Sequence, residues 1–94
     1  MIVSLEQIKQ HLRIQHDDED ELLMGLLLQV QGAAEDFCKT LFDESAPHPV
    51  RLAIVLMASH FYEYRDASDR FALQAMRRAF ESLLWPHRDV SKLL

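Results

Sequence analysis

The sequence predicts an all-α fold: a small bundle of about four helices, with a long second helix and a buried third. Three observations carry this. Apolar residues recur at spacings of three and four through most of the 94 residues. Glycine occurs twice and proline three times, too few for an all-β fold, which turns roughly every 8–12 residues. The clearest break, from Asp43 to Pro49, holds two acids, Ser45, Pro47 and Pro49.

The first helix begins at Ser4, whose hydroxyl suits an orphan backbone N–H, with Gln7 three residues on completing a capping-box pattern. Leu5, Ile8 and Leu12 share one face, and the helix is expected to end near His11 or Leu12. The acids Asp17, Asp18, Glu19, Asp20 and Glu21 follow. Such a run repels itself in isolation but is favoured at a helix N-terminus, so it reads as the start of helix two. The apolar stripe then runs through Leu22, Leu23, Leu26, Leu27, Val30, Ala33, Ala34, Phe37, Cys38 and Leu41. About 22 residues predict a rod of roughly 33 Å. Gly25 and Gly32, seven apart, are expected where another helix approaches closely.

Pro49 suits the first turn of helix three, which is expected to reach about Arg65. Residues 52–58 are apolar all round, the mark of a buried central helix. Ala67-Ser68-Asp69 reads as a polar turn, with Ser68 or Asp69 as a cap. Helix four carries Ala72, Met76, Ala79, Phe80 and Leu83 on one side and Arg70, Gln74, Arg77, Arg78 and Glu81 on the other. Pro86 stops it. The whole chain, 1–94, is expected to be one domain with residues 89–94 as a short tail that becomes ordered on assembly.

Ten basic and 15 acidic residues give a net charge of −5, which disfavours a protein built to grip nucleic-acid phosphates. The imbalance is uneven: residues 1–50 hold 3 basic and 10 acidic side chains, residues 51–94 hold 7 and 5. Such a split suits head-to-tail self-association or a charged partner. One cysteine excludes an intrachain disulfide and a cysteine-based zinc site. The N-terminus lacks a signal-peptide pattern, and the apolar runs are far shorter than the about 20 residues that span a bilayer. These features predict a soluble intracellular chain with no membrane partner.

Little in the sequence points to catalysis or a cofactor. Neither glycine belongs to a phosphate-cradling loop. His11, His16, His48, His60 and His87 include no i,i+4 pair for zinc. A calcium loop starting at Asp17 or Asp18 would place Leu22 or Leu23 where a glycine is needed. The acid run reads first as helix capping, then as partner electrostatics. Cys38 lies on the apolar stripe, where a thiol is inert. Arg77 and Arg78 read as a solvated basic face. Tyr64, Arg65, Trp85 and Arg88 are residue types enriched at interface hot spots. For the last two a second reading stands beside it: Trp85 closes the bottom of the core and Arg88 meets a helix C-terminus.

Three stretches in order resemble one family. They are Ser4-Leu5 through Lys9 with His11-Leu12-Arg13-Ile14 and the acids that follow; Tyr62-Glu63-Tyr64-Arg65-Asp66; and Leu83-Leu84-Trp85-Pro86-His87-Arg88. Together they resemble the phage head–tail connectors, small all-helical proteins also labelled possible DNA-packaging proteins. His87 stands where the family pattern has tyrosine, and Ala67 to Ser82 reads as a regular helix rather than a looser connection. The resemblance implies a structural protein without an active site. It implies a ring beneath the portal of the filled capsid, made in the bacterial host cytoplasm and carried in the virion. Its partners would be copies of itself, the portal protein, and the next connector or tail protein. DNA would pass through without sequence recognition.

On this reading the contact residues are Asp17, Asp18 and Asp20 on the acidic side and Tyr64, Arg65, Arg77, Arg78, Trp85 and Arg88 on the basic, aromatic side. The alternatives are a small DNA-binding regulator using Arg70, Arg77 and Arg78, and a metal-dependent hydrolase that lacks the paired glutamates such sites need.

Overall fold

Ser4 starts the first helix by the pattern its sequence predicts. In the computed structural model, which describes residues 1–64, 70–89 and 91 apart from the Arg70 side chain, α1 spans Leu5–Leu12. The Ser4 hydroxyl accepts from the Gln7 N–H at 3.1 Å and the Gln7 side chain accepts from the Ser4 N–H at 2.7 Å. Two orphan donors are thereby satisfied reciprocally. Arg13 ends the helix in the left-handed region at φ 60°.

Helix α2 spans Asp20–Cys38, shorter at both ends than the sequence predicts. Its 19 residues make a rod of about 28 Å. Asp17 and Asp18 lie in the turn before it, and Glu19 is the N-cap without a side-chain capping bond. Asp20 and Glu21 occupy the first turn, where the macrodipole favours acids. At the other end Lys39 adopts φ 57° and its N–H returns to the Glu35 carbonyl. That turn takes Leu41 out of the helix and leaves it 86% exposed. The buried stripe is therefore narrower: Leu23, Leu27, Val30, Ala34 and Cys38. A Cβ built on Gly25 or Gly32 meets nothing within 4 Å, so no helix approaches either glycine among the described residues.

Helix α3 spans His48–Glu63 with Pro49 in its first turn, where a missing N–H costs nothing. It is the central element, in contact with α1, α2 and α4. Val50, Ala53, Ile54, Met57, Ala58 and Ser59 are buried along it. Helix α4 spans Arg70–Leu84 and lies mainly against α3. None of Ala72, Met76, Ala79, Phe80 and Leu83 is exposed, whereas Gln74, Arg77 and Arg78 are. The polar turn expected at 67–69 and its cap lie outside the described residues.

Two segments outside the helices complete the core. Ile2 and Val3 are 3% and 2% exposed. The Ile2 N–H is donated to the Gln31 side chain at 2.9 Å, and the Ile2 carbonyl accepts from the Arg51 guanidinium. After α4 a 3-10 turn, Trp85–His87, carries Pro86 and sends the chain back over the end of α2. There the Asp89 N–H is donated to the Cys38 carbonyl at 2.7 Å. The tail expected to be loose after Arg88 is docked at its first residue.

Candidate functional site

The acidic contact residues expected from the sequence lie at or just before the start of α2, and Tyr64, Trp85 and Arg88 lie at or just past helix ends. Lys9, in the last turn of α1, reaches across to the acid run, with its Nζ 2.6 Å from Asp17 and 2.8 Å from Asp20. The hydrogen-bonded Asp17 raises the Lys9 pKa above its ordinary value, and Lys9 lowers that of Asp17. Glu19 accepts from the Tyr62 hydroxyl at 2.9 Å, tying the start of α2 to the end of α3. The acid run thus stitches three helices together, a role its composition does not reveal because both partners lie on other helices. Asp18 remains turned outward, with its side chain 89% exposed and His16 Nδ1 3.8 Å away.

Tyr64 is the C-cap of α3 and is 50% exposed, with its ring 4.8 Å from that of His60. Arg65 lies outside the described residues. Arg77 and Arg78 project from the outer side of α4 as exposed side chains. Neither has an ion-pair partner among the described residues.

Trp85 does not close the core: it is 63% exposed. The guanidinium of Arg88 lies 4.5 Å from the Trp85 ring centroid and 4.7 Å from that of Phe37. Its Nε is donated to the Phe37 carbonyl at 3.3 Å. Arg88 therefore meets a helix C-terminus, as one of its two readings has it, where a cation suits the dipole. Its planar head also holds Trp85 in a fixed attitude at the surface. Arg78 and Trp85 border the same shallow depression at the end of α4.

The sequence does not reveal a groove of about 340 Å³ where α2, α3 and α4 diverge. Val30, Ala33, Phe37, Met57, Phe61 and Phe80 form its apolar walls, and Arg77 stands at the rim. Helical spacing marks these residues as core, but not that three helices leave the space between them open.

Cys38 is buried and its thiol is donated to the Leu84 carbonyl at 3.7 Å. Burial raises its pKa, which suits a packing thiol and not a nucleophile. No cluster of three or more His, Cys, Asp or Glu residues is placed to hold a metal ion among the described residues. No helix there is long and apolar enough to cross a membrane.

Comparison with known proteins gives this surface a context. The model of the phage gp6-like head–tail connector proteins matches residues 2–83. The head completion protein gp6 of Enterobacteria phage HK97 is 32% identical over 95 aligned residues, which cover 94% of this chain and 83% of that protein. No solved structure matches. Nothing in these comparisons supports the DNA-binding regulator.

Proposed function

The chain belongs to the phage gp6-like head–tail connector family, and on that premise we propose that it assembles into a ring beneath the portal of the filled capsid. The ring joins the portal to the next connector or tail protein, and DNA passes through its lumen. The family match over residues 2–83 carries this reading. The role is structural, with no catalysis and no cofactor, and the protein resides in the virion after synthesis in the host cytoplasm. A net charge of −5 favours a lumen along which DNA slides without being held by Lys and Arg.

Subunits meet in this proposal with unlike charge on the two sides. Asp18 is the outward charge of the acid run, because Asp17 and Asp20 face Lys9 within their own subunit. Arg77, Arg78, Tyr64 and the Trp85–Arg88 pair form the opposite side; Arg65, expected with them from the sequence, lies outside the described residues. Native mass spectrometry over a concentration series tests the ring. A discrete closed assembly of about a dozen subunits is expected, since unlike patches that meet with closure generate rings. A stable two-fold dimer as the sole assembly counts against it. Asp18→Lys should weaken assembly while leaving the melting curve unchanged; unchanged assembly removes Asp18 from the contact.

A further inference from the structure

Leu41 presents a branched apolar side chain to solvent from a loop that is held in place on every side. It is 86% exposed. The preceding Thr40 N–H is donated to the Glu35 carbonyl at 3.2 Å. The following Phe42 N–H is donated to the Glu35 carboxylate at 2.9 Å, and the Phe42 ring packs against the core. Asp43 accepts from the Ser45 N–H at 2.9 Å. Arg51 donates to the Ala46 carbonyl at 3.1 Å and to the Glu44 carbonyl. An exposed apolar side chain on so constrained a loop loses little freedom on being covered, the condition that favours binding.

The groove between α2, α3 and α4 is the complementary feature. Ala33, Phe37, Met57, Phe61 and Phe80 line a space of about 340 Å³, with room for one branched aliphatic side chain. The rim charge favours exposed apolar residues with acidic neighbours, Leu22 and Leu41, and of these Leu22 is 38% exposed and Leu41 86%, so Leu41 is the one that projects far enough to enter a groove. Arg77 stands at the groove, and Arg78 follows it on α4. Leu41 is flanked by Asp36, Asp43 and Glu44 against one Lys39. Phe71 lies on α4 with Arg78 and Trp85 directly follows that helix, so either would bring like charge to the rim. Leu28 has uncharged neighbours three and four residues away on both sides: Met24, Gly25, Gln31 and Gly32.

We propose that Leu41 of one subunit inserts into the α2–α3–α4 groove of the next, with Asp43 and Glu44 set against Arg77 and Arg78. Knob and hole are different patches of one chain, so the contact is heterologous and propagates from subunit to subunit. It rests on the ring reading above and assigns the acids that meet Arg77 and Arg78 to the loop after α2, leaving Asp18, at the other end of α2, to a separate part of the interface.

Native mass spectrometry of the full chain, across a concentration series, tests the contact with Leu41→Asp and Ala33→Trp. The first places a charge on the knob; the second fills the hole from an exposed position. Both should raise the concentration needed for assembly by about tenfold or more, with melting curves like that of the wild type. In parallel, Leu41→Cys chains mixed with Ala33→Cys chains should form disulfide-linked pairs under oxidation, while neither does so alone. Cys38 is buried and does not compete. If both substituted chains assemble like the wild type, the contact is overturned and the ring stands on other surfaces. If Ala33→Trp blocks assembly and Leu41→Asp does not, Leu41 is overturned as the occupant. A wild-type chain that is monomeric at every concentration, with no cross-link in the mixed cysteine chains, overturns both the contact and self-assembly of the free protein.

Discussion

The guanidinium of Arg88 stacks 4.5 Å from the ring centroid of Trp85 while its Nε caps the end of α2 through the Phe37 carbonyl. One side chain thus closes a helix and orients an exposed aromatic. Stability and surface shape are coupled at this point of the fold.

Arg88→Ala should cost about 1–3 kcal/mol, the range of a charge-assisted hydrogen bond with some cation–π contribution. Arg88→Lys should recover only part of this, because an ammonium lacks the planar head that stacks on two rings. Denaturant unfolding measures both. The emission of Trp85, the sole tryptophan, should shift to the red in Arg88→Ala as its cover is removed. Equal stability of all three chains would show that Arg88 is incidental to the end of α2.

The Lys9–Asp17 pair predicts a pH window. Hydrogen bonding to Lys9 holds the Asp17 carboxyl below its ordinary value of 3.8. Its contribution is therefore present above that value and is lost as pH falls through the folded pKa. Hydrogen bonding to Asp17 and Asp20 raises Lys9 above 10.5. Its contribution is complete below 10.5 and is lost as pH rises through the folded pKa. Denaturant midpoints of wild type and Lys9→Met, compared from acid to alkaline pH, should differ most between these limits and converge outside them. A gap independent of pH would assign the loss to the lysine stem and not to its charge.

Ser59 is 6% exposed and its hydroxyl has no hydrogen-bond partner among the described residues. It lies in the central helix beside Ala58. Ser59→Ala removes the unsatisfied group with almost no change of volume and should stabilise the fold by about 1 kcal/mol. That corresponds to a rise of roughly 4–8 °C in the melting temperature. A lower melting temperature would mean that the hydroxyl is satisfied in solution, for example by water.

Much of the fold is legible in the residues. Ser4 and Gln7 announce α1 because capping is local chemistry between neighbours. The continuous apolar run in α3 announces the central helix because every side of it must be covered. The end of α2 is less legible. Leu41 fits the 3.6-residue pattern, yet Lys39 turns out of the helix in a conformation that pattern alone does not reveal. Gly25 and Gly32 read as a point of close approach, and the structure leaves both facing open space. Trp85 shows the same limit: an aromatic at a helix end suits either a core or a surface, and only the course of the chain decides between them.

By itself the sequence determined the all-α class, the central place of α3, the Ser4–Gln7 cap, the break from Asp43 to Pro49, the uneven charge and the resemblance that points to a connector. All of these follow from neighbours along the chain or from summed composition. The tertiary structure alone decided that Lys9 holds Asp17 and Asp20, that Arg88 clamps the end of α2, and that three helices diverge to leave a groove. These features join residues on different elements, and their geometry depends on how helices of given length and face pack against one another, which local periodicity does not specify.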